Sequence, residues 1–220
     1  MPELVQGTDE WLQARCGMLT ASVVGKLITP TLRVASNDIS RAVTLGLVAE
    51  RITGYVEPLP MTSDMWRGVE DEPKAREAYA VHKGVQVEEI GFMVRDFGGF
   101  SIGYSPDGLV GDEGLIECKS RIQRNQVRTI LDGDVPAANM AQLQCGLLVS
   151  GRDWIDYVSY SGGLPLWIKR VTPDERWFAV IEDAALAFEE AADTLTRAFR
   201  AAAAGLPMTE RTPDYDQEIV

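Results

Sequence analysis

The stretch from Gly103 to Lys119, GYSPDGLVGDEGLIECK, constrains the fold of this chain more than any other. Ser105-Pro106-Asp107-Gly108 is a turn sequence, in which proline presets φ and glycine is expected to supply φ > 0. The stretch therefore reads as the end of one strand, a turn, a second turn and a short new strand. In that new strand, Leu115-Ile116-Glu117-Cys118-Lys119, successive side chains point to opposite faces. Ile116 and Cys118 are expected to face the core, with Glu117 and Lys119 together on the other side.

Those charged residues form a chemical set. Asp107 is followed ten residues later by Glu117, and Lys119 lies two residues beyond it. Two carboxylates are hard oxygen ligands that suit Mg²⁺, which takes few protein carboxylates and keeps waters or phosphate oxygens for the rest. A lysine beside them can orient a water or stabilise phosphate charge. The same three residues also suit a solvated hairpin with a surface ion pair, so the rest of the chain must decide.

With 220 residues there is enough chain for one sizeable core, and a single domain over 1–208 is expected. Residues 209–220 read as an acidic, mobile C-terminal tail. No run of 18 apolar residues exists to span a membrane, and MPELVQ lacks the features of a signal peptide. Cys16, Cys118 and Cys145 have no metal-site spacing and read as buried, reduced cytosolic thiols. The one histidine, His82, excludes a His-rich zinc site. It also argues against Ser/His or Cys/His catalysis. A net charge of −12 opposes DNA binding at long range. Yet Lys119, Arg121, Arg124 and Arg128 form a local basic strip with no acid among them.

Taken in order, DEWLQAR is a helix capped by Thr8 and closed by Gly17, and a second short helix begins at Thr20-Ala21-Ser22. Asn37-Asp38 caps a helix to Thr53; Ser63 or Asp64 caps another, from Met65 to His82. Glu70, Asp71 and Glu72 in its first half read locally as partners of the helix dipole. Val85, Val87, Ile90, Phe92 and Val94 show strand periodicity, with Phe100–Tyr104 as the partner strand. Helices follow at 123–131 and after Pro136, then strands at 154–161 and 165–171. Thr172-Pro173-Asp174-Glu175 reads as a capping box opening a last helix to Ala204, about 48 Å long at 1.5 Å per residue. Gln142 and Gln144 suit the polar flank of their helix, and the five tryptophans read as core or subunit contacts. The pattern implies an α/β fold, a mixed β-sheet flanked by helices.

Five motifs together resemble a known family. They are WLQARCGMLTAS (11–22), RGVEDEPKAR (67–76), GYSPDGL (103–109), ECK (117–119) and NMAQLQ (139–144). In this order they resemble the lambda-exonuclease-like, viral-recombinase branch of the PD-(D/E)xK nucleases. The resemblance implies a restriction-endonuclease-like core. It implies Asp107, Glu117 and the backbone carbonyl of Cys118 as metal ligands, with Mg²⁺ as the cation and Mn²⁺ able to substitute. Lys119 would be the catalytic lysine, Glu72 a further site acid, and Gln142 a residue holding substrate near the scissile phosphate. Arg15, Ser22 and Ser105 would bind the terminal 5′ phosphate, a task suited to a guanidinium with hydroxyl donors. One departure is Ser120-Arg121-Ile122, where a proline is expected shortly after the lysine.

The implied function is a Mg²⁺-dependent 5′-to-3′ exonuclease that digests one strand of linear double-stranded DNA and leaves 3′ overhangs for strand annealing. A homotrimeric ring, a single-strand annealing partner and a phage or prophage origin, in the cytoplasm of a bacterial host, are implied by resemblance alone. Two alternatives remain. One is a PD-(D/E)xK endonuclease or repair nuclease; the other is a catalytically silent protein that binds DNA ends or a partner.

Overall fold

The computed structural model describes residues 1, 3–58 and 60–211. Of the expected tail, 209–211 are exposed and the rest lies outside the described residues. The elements that build the site are α1 (Asp9–Arg15), β1 (Leu19–Thr20), α2 (Ala21–Val24), α3 (Asp38–Thr53) and α4 (Ser63–Lys83), then β2 (Met93–Asp96), β3 (Ser101–Tyr104), β4 (Gly108–Val110) and β5 (Gly114–Ser120). After them come α5 (Gln123–Asp132), α6 (Ala137–Ser150), β6 (Trp154–Tyr160), β7 (Trp167–Val171) and α7 (Glu175–Ala202).

The strands form two sheets, in the order β1-β3-β2 and β4-β5-β6-β7. Both are mixed. β5 pairs antiparallel with β4, parallel with β6. A parallel neighbour needs a crossover, and α5 and α6 supply it. The two faces of β5 enter different cores. Leu115 packs with Ile155, Tyr157 and the residues of α6 and α7; Ile116 and Cys118 pack with Val158 and with Ala75 and Tyr79 of α4. The sheet is thus flanked by helices on both sides, as expected. The surface-hairpin reading is corrected, because Glu117 is only 1% exposed and both faces of its strand are covered.

Several boundaries differ from the sequence reading for local reasons. Gly108 does not have positive φ; a left-handed glycine, Gly111 at φ 55°, lies in the next turn, between β4 and β5. Gly108 is needed instead for closeness, since a Cβ there would lie 2.3 Å from Val87 Cγ1. Of the expected 85–94 strand only Met93 and Val94 pair with β3, the strand running on to Asp96, and Glu88 makes an isolated bridge to Leu109. Thr62, not Ser63 or Asp64, caps α4 by accepting from Met65 N. Asp174, not Thr172, caps α7, which has 28 residues. Gln144 anchors that start, donating to Thr172 O at 2.9 Å and accepting from Asp174 N at 2.9 Å. It is therefore a structural residue rather than half of a functional pair. Cys16 is half-buried, while Cys118 and Cys145 are buried as expected, and all three are free thiols. Trp66 is 56% exposed, contrary to a core role. No helix among the described residues is long and apolar enough to cross a membrane.

Candidate active site

Eight segments of chain converge on one cavity of about 230 Å³. It is lined by Gln6, by Trp11 and Arg15 of α1, and by Thr20, Ala21 and Ser22 where β1 meets α2. The rest comes from Tyr104, Ser105 and Asp107 around the β3–β4 turn, Glu117 and Lys119 of β5, and Gln142 of α6. Seven of the nine residues singled out from the sequence line it. Glu72 and Cys118 stand beside it: Glu72 wall-to-wall with Asp107 in an adjoining cavity, Cys118 through its backbone.

At one end is a carboxylate cluster. Glu117 Oε1 accepts from Lys119 Nζ at 2.6 Å and from Gln142 Nε2 at 2.6 Å, and Oε2 accepts from the Tyr104 hydroxyl at 3.3 Å. A buried carboxylate is costly unless hydrogen-bonded, and these three donors offset that cost. Asp107 Oδ2 accepts from Cys118 N at 2.6 Å. This contact lies on the edge of β5 that β4 leaves open after Ile116. Because a strand residue's N–H and C=O share an edge, the Cys118 carbonyl lies on that same open edge.

The electrostatics ask for positive charge. Burial, then the charges of Glu117 and Glu72, push the Asp107 carboxyl well above the usual carboxylate range. Burial likewise raises Glu72, against the opposing pull of Arg76. Burial works against the Lys119 ammonium, but Glu117 and Asp107 outweigh it and raise its pKa. Lys119 is therefore a firmly protonated donor in this arrangement, not a base. Among the described residues no group of three or more His, Cys, Asp or Glu side chains forms a metal cage. What the site offers is two carboxylates with a carbonyl on the same strand edge, all hard oxygens. That set fits Mg²⁺, and a cation there would relieve the repulsion among the acids.

The other end is a cationic corner. The Arg15 guanidinium lies 4.0 Å from the centroid of the Trp11 ring and donates to Ser22 Oγ at 3.3 Å. Ser22 Oγ is 3.1 Å from Thr20 Oγ1, and Trp11 Nε1 donates to Ser105 Oγ at 2.9 Å. Burial pushes Arg15 down to about 10, with Glu50 working the other way. Arg15 has no ion pair among the described residues. A half-buried guanidinium of this kind gains from a bound anion.

Trp11 is the site residue that the sequence did not reveal, since an aromatic on an amphipathic helix reads as core. A second omission is Ser120, next to Lys119. Ser120 Oγ donates to Asp71 Oδ2 at 2.7 Å and accepts from Arg67 Nε at 3.0 Å, tying α4 to the end of β5 next to Lys119. The basic strip is broken up: Lys119 is held by Glu117, and Arg121 donates to Asn139 Oδ1 at 2.6 Å and to the Tyr157 hydroxyl. Arg124 and Arg128 of α5 are exposed.

A mixed sheet flanked by helices, with an aspartate before a hairpin and Glu-x-Lys on its second strand, defines the restriction-endonuclease-like PD-(D/E)xK fold class. Residues 10–153 match the family of YqaJ-like viral recombinase domains, and the chain belongs to that family. An alkaline exonuclease (LHK-Exo) from Laribacter hongkongensis is 33% identical, with a TM-score of 0.81 over 91% of this chain and 100% of that one. The same figures hold for the structure of that exonuclease in complex with dAMP. A phage-related exonuclease from Haemophilus somnus 129PT, at 15% identity, has a TM-score of 0.63 over 83% of this chain and 96% of its own, a likeness of fold. No curated protein matches the chain.

Proposed function

We propose that this member of the viral-recombinase nucleases is a Mg²⁺-dependent exonuclease that digests one strand of linear double-stranded DNA from its 5′ end and leaves 3′ overhangs. One observation carries the reading: a single cavity is lined by both an arginine that has no ion pair among the described residues, with hydroxyls beside it, and a carboxylate cluster with a lysine. A site with only the second feature would cut anywhere along a strand. With both, it measures its cut from a terminal phosphate.

In this reading Asp107, Glu117 and the Cys118 carbonyl hold the cation, for which Mn²⁺ can substitute. When bound, it would neutralise phosphoryl charge and acidify a water. Lys119 Nζ, kept protonated, holds the attacking water or a phosphate oxygen in place. Gln142 fixes Glu117 and reaches the scissile phosphate; Glu72 adds a third acid. Arg15, Ser22 and Ser105 bind the 5′ phosphate, and Trp11 holds both Arg15 and Ser105 in place. The homotrimeric ring, the single-strand annealing partner, the phage or prophage origin and the bacterial cytoplasm belong to this proposal through the family resemblance.

Arg15→Ala is expected to lower the preference for 5′-phosphoryl over 5′-hydroxyl ends roughly 10- to 100-fold, the worth of a charge-assisted hydrogen bond. Initial rates on the two substrates measure it, and an unchanged preference would remove the role. The endonuclease alternative is tested with covalently closed circles set beside the same molecule linearised. Cleavage of the circles contradicts the exonuclease reading.

A further inference from the structure

We propose that Arg76 is a positioning residue: it aims Glu72 toward Asp107 and Glu117, with Glu89 as its counter-anchor. The inference rests on the divalent-metal reading above. Glu72 and Arg76 lie one turn apart on α4 and so share a face. Arg76 Nη2 donates to Glu72 Oε1 at 2.6 Å, and Nη1 pairs with Glu89 Oε1, which belongs to the segment before β2. The guanidinium is thereby stretched between two elements. Its side chain is 13% exposed, whereas that of Glu89 is 73% exposed. Arg76 Nε is buried and has no partner among the described residues. An arginine whose role was only to stabilise the fold would be expected to satisfy that donor. Here the two carboxylates set its orientation at the expense of the third donor.

The target of that orientation is clear from the surroundings. A second cavity of about 690 Å³ shares Gln6, Trp11 and Asp107 with the site cavity and is walled by Glu72 and Arg76. Glu72 feels both Glu117 and Lys119, so its carboxylate is part of the same electrostatic cluster. A carboxylate near two others turns away unless something holds it. A planar guanidinium fork gives that hold a direction, which a lysine ammonium does not. Outer-shell partners of this kind typically change metal affinity 10- to 100-fold.

The test uses the full chain and Mn²⁺ as the probe, with free Mn²⁺ counted by electron paramagnetic resonance and melting temperature recorded in parallel. Arg76→Gln is expected to weaken Mn²⁺ binding about 10-fold, while Arg76→Lys and Glu89→Gln weaken it less. A role in folding alone would lower the melting temperature and leave the affinity of the folded protein unchanged. Wild type that binds Mn²⁺ with Arg76→Gln binding equally well overturns this inference and leaves the metal reading intact. Wild type that binds no Mn²⁺ overturns both. If Arg76→Gln does not fold, Arg76→Lys and Glu89→Gln decide, and wild-type affinity in both overturns the proposal.

Discussion

Replacing Lys119 with alanine is expected to lower Mg²⁺-dependent nucleotide release from linear duplex by roughly 10²- to 10³-fold, the usual cost of removing one preorganised donor from a developing charge. The effect should fall on kcat, because Lys119 reaches the reacting centre and not the arginine corner. The substitution also removes one of the three donors to Glu117. Loss of a partner to a buried group costs about 1–3 kcal/mol, so circular dichroism and melting must show that the variant is folded. Folded protein with unchanged nucleotide release would show that the chemistry is assigned to the wrong residue.

The second large effect has two opposite signs. Asp107→Asn is expected to abolish release and at the same time raise the melting temperature of the metal-free protein. The folded-state pKa of Asp107 is raised, so the native state holds its proton more tightly than the unfolded chain. Its contribution therefore weakens native stability as pH rises through the unfolded value toward the folded one, and asparagine removes that dependence. Mg²⁺ should reverse the ranking. A ligand at 100 times its Kd stabilises by about 2.7 kcal/mol, or about 5–10 °C for a chain of this size. Wild type should show that gain and Asp107→Asn much less. Equal gains in both proteins would mean that Asp107 does not hold the cation; a lower metal-free melting point for the variant would contradict the raised pKa of its carboxyl.

The meeting of Glu117 and Lys119 on one face was legible because strands place residues in simple alternation. Glu117 and Lys119 on one face of an apolar run, after Pro106-Asp107, also suited a solvated hairpin, and only the five motifs taken in order singled them out. Helix ends were legible to within a few residues because caps are local; Asn37, for example, caps α3 through Ser40 N as expected. What escaped was non-local. Trp11 meets Ser105 across 94 positions of sequence, and no local pattern separates such an indole from a core tryptophan. Arg76 looks like any i,i+4 partner until Glu89 is seen on its other side. Gly108 was assigned to backbone freedom when its cause is the crowding of Val87. The burial of Glu117 was also hidden, because the covering elements, α4 and α6, lie on either side of it in sequence.

A cavity that both grips a terminal 5′ phosphate and cuts beside it should release the terminal nucleotide first. The most direct measurement follows linear duplex DNA labelled at the 5′ end or the 3′ end, with Mg²⁺ added or chelated. The 5′ label should appear at once as mononucleotide, the 3′ label should stay on long strands until late, and chelation should stop both. Mononucleotide released first from the 3′ end, or 5′ label appearing only in oligonucleotides, would contradict the proposed function.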